Sequence, residues 1–539
     1  MSPATGPITA APSPGTNTVT FTGASSAING TAASQTFNNI TVAKSSQTLT
    51  IGGGGLNSLA LNGGFTLTSG VVAQNASLSI TGTYSQAAGT FTCSAPTTYT
   101  FTVGGNFSIP STDDSFMRYT GGGQSSGDPY YIYDVYGLQA MKQELSTVWY
   151  KLANNIDASP TSNWTSGFIP VGDSGTAFSG NFDGNSYTIT NLRINTTSSK
   201  DRADTGLFGY VSGGTIQNIG LVSIDYDLDD DTTFYAGGLA GRILNSTITD
   251  SYATGTIDIT STTIGTTYVG GLIGFTDQYG DATVDDCHAS VNITIDGPAS
   301  GTGYAGGFIG YALAKGSGSW ENVLITDSYA TGNINAKDFT TVYAGGFAGQ
   351  LDAVWSGQLE VYNCYATGNV TVTDGTSTGA VVGGFSGNER AYGGSINYIH
   401  DIYATGDVTV TESNASILAG GLFGVFQSTD WGGNYNYLYR AYSTGDVTVT
   451  GSGATQYIGG FIGWNRWLDS SPELKVDNCY STGKVTSAAG IVGGFIGLNT
   501  DGTLTTDYWY KQPGGSATQA IGSGPGTVTE ASAVSDFYA

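Results

Sequence analysis

A Gly-Gly pair, an apolar residue, a variable residue and a further glycine return eight times in the second half of this 539-residue chain. The copies start at Gly237, Gly270, Gly306, Gly345, Gly383, Gly420, Gly459 and Gly493, at intervals of 33 to 39 residues, after a degenerate copy at Gly206-Leu207-Phe208-Gly209. A period of this size marks a repeat architecture, in which each unit buries its apolar side only by stacking on its neighbours. Intervals that vary by a few residues place loops of variable length at the corners of such a stack.

Two further blocks follow each of the first seven copies. One reads DSYATG at Asp250 and Asp327, DCHASV at Asp286, NCYATG at Asn363, DIYATG at Asp401, RAYSTG at Arg440 and NCYSTG at Asn478. The next is a short alternating run, such as NVTVT or DVTVT. One repeat therefore reads as three short strands, one repeat per turn. Alternation assigns the faces. Val370 and Val372, Val408 and Val410, and Val447 and Val449 point inward, with Thr371, Thr409 and Thr448 outward. In the middle block Ser251, Cys287, Ser328, Cys364 and Cys479 point inward. Tyr252, Tyr329, Tyr365, Tyr403, Tyr442 and Tyr480 form an outward ladder. Leu239, Leu272, Phe308, Phe347, Phe385, Leu422, Phe461 and Phe495 form the main core column. The expected fold is all-β: a right-handed three-sided β-helix with one short capping helix, placed at Val135–Leu145.

The spacing of these blocks over about residues 205–500 resembles the GLUG repeat of large bacterial and archaeal surface proteins. The stretch from Tyr130 to Asn185 looks like the usual leader of that repeat. Residues 1–109 differ. Their runs FNNITV, TLTIGG, FTLTSG and SLSITG resemble the Thr/Gly-rich repeat of secreted filamentous surface proteins, again read as short solenoid strands. The expected organisation is a Thr/Gly-rich region at 1–109, a linker at 110–128, a leader or cap at 129–204, a GLUG-type β-helix at 205–510 and a Gly-rich tail at 511–539. Met1-Ser2-Pro3-Ala4 lacks the features of a signal peptide, and Asp536-Phe537-Tyr538-Ala539 shows no anchor motif. A signal and an anchor are expected to lie outside this sequence.

The resemblance implies an extracellular, cell-surface location and a structural or adhesive role, with self-association or a surface polysaccharide or protein as partner. Composition agrees. Only 11% of residues are charged, the net charge is −25 and 83 residues are glycine, yet 33 are tyrosine. Nucleic acid and anionic membranes require a basic surface, and no segment is long and apolar enough to span a bilayer. The Pro- and Thr-rich segment Ser2–Asn17 reads either as a disordered terminus or as an arm that lends a strand to a neighbour.

Little points to catalysis, and no enzyme is expected. The two histidines, His288 and His400, are 112 residues apart, and there is no H-E-x-x-H, so the zinc-peptidase activity of some GLUG-bearing proteins is not implied here. β-Helices do host glycosidases and polysaccharide lyases, which is the alternative reading, but no carboxylate pair stands out among 41 acidic residues. Calcium is the one cofactor considered. Asp225, Asp227, Asp229, Asp230 and Asp231 could supply its oxygens, with a solvated acidic loop as the competing reading. The column Asp250, Asp286, Asp327, Asn363 and Asp401 offers a less specific cation site. Cys287, Cys364 and Cys479 share one column and are expected as buried thiols, since alternate turns lie beyond disulfide reach, and Cys93 stands alone in the first region. N-x-S/T sequons, including Asn245, Asn292 and Asn369, are compatible with a glycosylated surface.

Overall fold

The computed structural model describes residues 17–533 except 113, 197–202, 231–232, 262–264, 278, 298–300, 317–320, 375–377, 413–415, 430–432, 452, 454 and 468–472. The segment Ser2–Thr16, which carries most of the expected arm, lies outside the described residues. The chain forms two compact units, one of residues 1–171 and 179–195, the other of residues 172–178 and 196–539. Both are built almost wholly of β-strands.

In the first unit the Thr/Gly-rich runs form two stacks of parallel strands. Ser34–Phe37, Ser58–Leu61, Ser77–Ile80 and Phe101–Val103 make one. Thr18–Thr22, Asn39–Ile51 and Phe65–Gln74 lead the other. Strict alternation buries Leu59, Leu61, Leu78 and Ile80 on one side of their strands. Within residues 110–128, Phe116–Met117 pairs with Thr90–Thr92, and Arg118 is buried. Arg118 is held by Asp134 at 2.6 Å and Gln74 at 2.5 Å. The helix spans Val135–Ala140 and ends in a tighter turn at Met141–Gln143, short of the expected Leu145. Gln143 stops it by accepting from the Phe116 amide and donating to the Pro110 carbonyl. The Asp134 side chain caps its start.

The second unit is a parallel β-helix in which each repeat pairs with the next, with one register shift between Leu221 and Ile224 in its first turns. Gly237, Gly270, Gly306, Gly345, Gly383, Gly420, Gly459 and Gly493 are consecutive partners in one nine-stranded sheet, so one repeat does make one turn. The core column is fully buried from Leu239 to Phe495. Phe308, Phe347 and Phe385 stack at 4.7 Å. The Tyr ladder, with His288 in place of one tyrosine, stacks at 4.7–4.9 Å within 4° of parallel.

Two features depart from the sequence reading. The Gly-Gly block is a corner rather than a strand. A strand ends on the first glycine, as in Thr302–Gly306, and the next begins after the apolar residue, as in Ile309–Lys315. A Cβ on Gly307 would collide with the Gly346 carbonyl and press on Ala330, and Gly346 stands likewise to Gly384 and Ala366. The corner glycines and the Ala of the middle block are thus one packing unit. The repeat also holds a further strand before each Asp or Asn, with its own buried column of Ile248, Val284, Ile325, Val361, Ile399 and Leu438.

Polar columns hold the turns. Asp250, Asp286, Asp327, Asn363, Asp401, Arg440 and Asn478 all have φ between 48° and 56°. Asp and Asn tolerate this left-handed conformation best after glycine, so the column serves the backbone. A second ladder links turns directly. Asn292 Oδ1 accepts from the Asn333 amide, and Asn333, Asn369, Asp407 and Asp446 repeat the pattern at 2.8–3.0 Å.

Candidate functional site

The residues singled out by sequence fall at separate places in the fold, except that His400, Asp401 and Arg440 meet. Asp225, Asp227 and Asp229 project from one side of the strand Gly220–Asp230, while Tyr226 and Leu228 between them are buried. The acidic run is therefore a strand face and not a loop. Alternate residues on a strand lie about 6.8 Å apart, so these carboxylates are spread along a line. The Asp230 side chain and Asp231 lie outside the described residues. Among the described residues no group of three or more His, Cys, Asp or Glu is placed to hold a metal ion. His288 is one ring of the Tyr ladder. His400 stacks on Tyr362 at 5.0 Å in a different column and contacts Asp401 at 2.8 Å. Arg440 grips Asp401 through two bonds of 2.6 Å and holds that carboxyl down at about 2. All four cysteines are free and buried, and burial pushes the Cys287 thiol up to about 12. Asn292 and Asn369 are exposed, with Oδ1 engaged in the amide ladder.

The densest chemistry sits elsewhere, along the outer side of the Gly-Gly corner. Tyr235, Tyr268, Tyr304 and Tyr343, each two residues before the first glycine, stack at 4.9–5.0 Å on the outer face of one sheet. Phe275 and Tyr311 stand on the outer face of the sheet that follows the corner. Rings touch across it: Tyr268–Phe275 at 5.1 Å, Tyr304–Tyr311 at 5.2 Å and, further along, Tyr457–Trp464 at 5.2 Å. Outer faces that touch must meet at a re-entrant angle, so the corner is the floor of a groove. Its core is Phe275, Tyr311, Leu313 and Val354, with Tyr235, Tyr268, Tyr304 and Tyr392 packed on it.

Charges inside the groove are paired. Arg242 lies between the Tyr210 and Tyr235 rings at 4.3 and 4.6 Å, bonds buried Asp204 and reaches Asp277 at 3.4 Å. Burial and the nearby Asp277 push the Tyr210 hydroxyl up to about 12. Asp352 is fully buried, and its Oδ2 accepts from Tyr311 Oη at 2.5 Å, Arg390 Nη2 at 2.6 Å and Gln350 Nε2 at 2.7 Å. The Asp352 charge in turn raises the Arg390 pKa. At the rim Trp355 is 50% exposed and meets Tyr392 edge-on at 5.0 Å. The arrangement offers flat rings and fixed donors, the furniture of a binding surface. The tyrosine two places before Gly-Gly was the available signal, hidden when each repeat is read from its glycines onward.

The profile of the GLUG motif matches residues 232–260 and 265–294. Halomucin from Haloquadratum walsbyi (strain DSM 16790 / HBSQ001) is 38% identical over 137 residues, which cover 24% of this chain and 2% of that protein. The chain thus matches only a small fraction of this relative's length. A solved structure described as a candidate immunoglobulin A1 protease from Bacteroides ovatus covers 59% of this chain and 86% of its own, with 19% identity and a TM-score of 0.39. That likeness is too weak to bear on function.

Proposed function

We propose that this GLUG-repeat protein is an extracellular, cell-surface structural protein whose second unit, a right-handed three-sided β-helix, acts as a spacer that carries adhesive or self-assembling faces. One observation carries the reading. Eight Gly-Gly corners succeed one another without a register slip, so each turn is supported by its neighbours alone, and such stacks extend by repetition. Three separate parallel sheets per turn support the three-sided form. The GLUG motif, a relative named as a mucin and the surplus of acidic residues support the location.

The role is non-enzymatic. The groove carboxylates Asp204 and Asp352 are each locked to an arginine, which leaves them poor candidates for proton transfer. Antibody labelling of intact source cells tests the location: signal before lysis is expected, and signal only after lysis would refute it. Sedimentation across a concentration series tests assembly. Turnover of polysaccharides by the purified chain would replace this reading with the carbohydrate-active one.

A further inference from the structure

The geometry points to a binding site for a uronate-bearing oligosaccharide at the rim of the corner groove, formed by Tyr311, Lys315, Trp355, Arg390, Tyr392 and Thr429. These residues, with two aliphatic neighbours, line a recess of about 320 Å³. Small-ligand sites span about 300–1,000 Å³, and a recess at the low end suits one or two sugar rings. The site deepens the surface reading above, because it names what such a face would grip.

Three observations carry the assignment. The first is Trp355. It sits at φ 52°, followed by Ser356 at φ 68°, on the turn between Ala348–Val354 and Gln358–Tyr362. A bulky residue in this left-handed conformation is strained. The fold accepts that strain and leaves half of the indole exposed, its orientation fixed by the edge contact with Tyr392 and by the close approach of Gly393. An indole face held toward solvent is a stacking platform for the apolar face of a sugar ring.

The second is charge. The chain has 41 acidic and 16 basic residues. The described residues that line the recess nevertheless include Lys315 and Arg390 and no carboxylate. Lys315 and Arg390 thus bring two cationic side chains to a mouth with two aromatic rings, with Asp352 buried beneath as the partner of Arg390, and a sugar that carries an anion suits them.

The third is the geometry of Arg390. Its Nη2 is fixed to buried Asp352, and 36% of its side chain remains exposed. The guanidinium is thereby anchored on one edge and keeps donor capacity for a ligand. Arginine so oriented suits a planar carboxylate. Lys315, whose ammonium stands 4.5 Å from the Tyr279 ring centroid, adds a second positive charge at the same mouth.

The test is isothermal titration of the full chain with oligogalacturonate, sulfated dextran oligomers and neutral dextran oligomers. Variants are Trp355→Ala and Lys315→Gln at the rim, and Arg390→Gln paired with Asp352→Asn so that no charge is left buried alone. Oligogalacturonate is expected to bind in a salt-sensitive manner, with each rim variant at least tenfold weaker and its thermal unfolding unchanged. Absence of oligogalacturonate binding, binding indifferent to Trp355→Ala and Lys315→Gln, or equal binding of the neutral or sulfated oligomers would overturn the assignment. Failure of this assay leaves the spacer reading intact, because location and assembly are read separately.

Discussion

The ring cluster around Phe101 in the first unit and the Phe and Tyr columns of the second pack in opposite ways. In the second unit Phe308, Phe347 and Phe385 lie face to face within 9° of parallel, and the outer Tyr ladder is flatter still. In the first unit Phe101 meets Tyr84, Phe91, Phe116 and Tyr136 at 4.9–5.7 Å with interplanar angles of 68–81°. Edge-to-face contact is what ring quadrupoles favour. The Phe and Tyr columns of the second unit forgo it because their register sets the same residue above itself at the strand spacing of about 4.8 Å. Strict repetition reuses one adequate contact, whereas irregular repeats let each pair settle separately and tie many rings into one cluster. Loss of a ring should therefore spread through the first unit and stay local in the second.

The largest effects break or confirm that contrast directly. Phe101→Ala and Phe347→Ala should each cost about 3–5 kcal/mol. Hydrogen exchange should show Phe101→Ala loosening the whole first unit, and Phe347→Ala loosening only the turns around Gly306–Gly383. Uniform loss of protection across the second unit in Phe347→Ala would disprove the nearest-neighbour account. Next is the corner. Gly346→Ala drives a Cβ into the Gly384 carbonyl and should cost about 1–3 kcal/mol in chemical denaturation. Gly379→Ala, which meets only ordinary contacts with Thr341, should stay within about 0.5 kcal/mol.

A smaller effect separates turns of the second unit by pH. Burial pushes Glu389 up to about 8, opposed by hydrogen bonds from Asn436 and Asn397. Its folded pKa lies above the unfolded value of about 4.3. The protonated form is thus the stabilised one, and its contribution is full below about pH 4 and lost as pH rises through 8. Asp507, raised to about 8 by burial, acts in the same direction. Asp401, held at about 2 by Arg440, acts oppositely and loses its contribution only as pH falls from about 4 toward 2. Calorimetry should give a lower Tm at pH 9 than at pH 5, by on the order of a few degrees, and Glu389→Gln should flatten that slope. An unchanged slope in the variant would remove Glu389 from the account. Smallest is the left-handed column. Asp327→Ala should cost about 1 kcal/mol and Asp327→Asn close to nothing, since Asn363 and Asn478 occupy the same position.

Some errors of sequence reading have a plain physical origin. The acidic column looked like a charge feature, yet its members share a backbone conformation, and Arg440 fits it because φ and not charge is what the position demands. Glu389 left no trace in the pattern. It takes the inward place that Leu351 and Phe426 hold in adjacent turns, and only the Asn397 and Asn436 amides from two strands of another sheet make it tolerable there.

By itself the sequence determined the repeat, its one-turn length, the inward Phe, Leu, Val and Cys columns and the outward Tyr ladder. Each of these follows from alternation and period, which are local properties of an extended chain. Tertiary structure alone decided what the corners create. Whether two outer faces diverge or close into a groove depends on the angle at which strands leave Gly306-Gly307, set by how closely Gly346 and Ala330 let the backbone approach. That angle brings Tyr304 onto Tyr311, seats Asp352 between Tyr311 and Arg390, and turns Trp355 outward beside Tyr392. Those partners come from different turns of one sheet or from different sheets of one turn, and no spacing along one strand encodes their meeting.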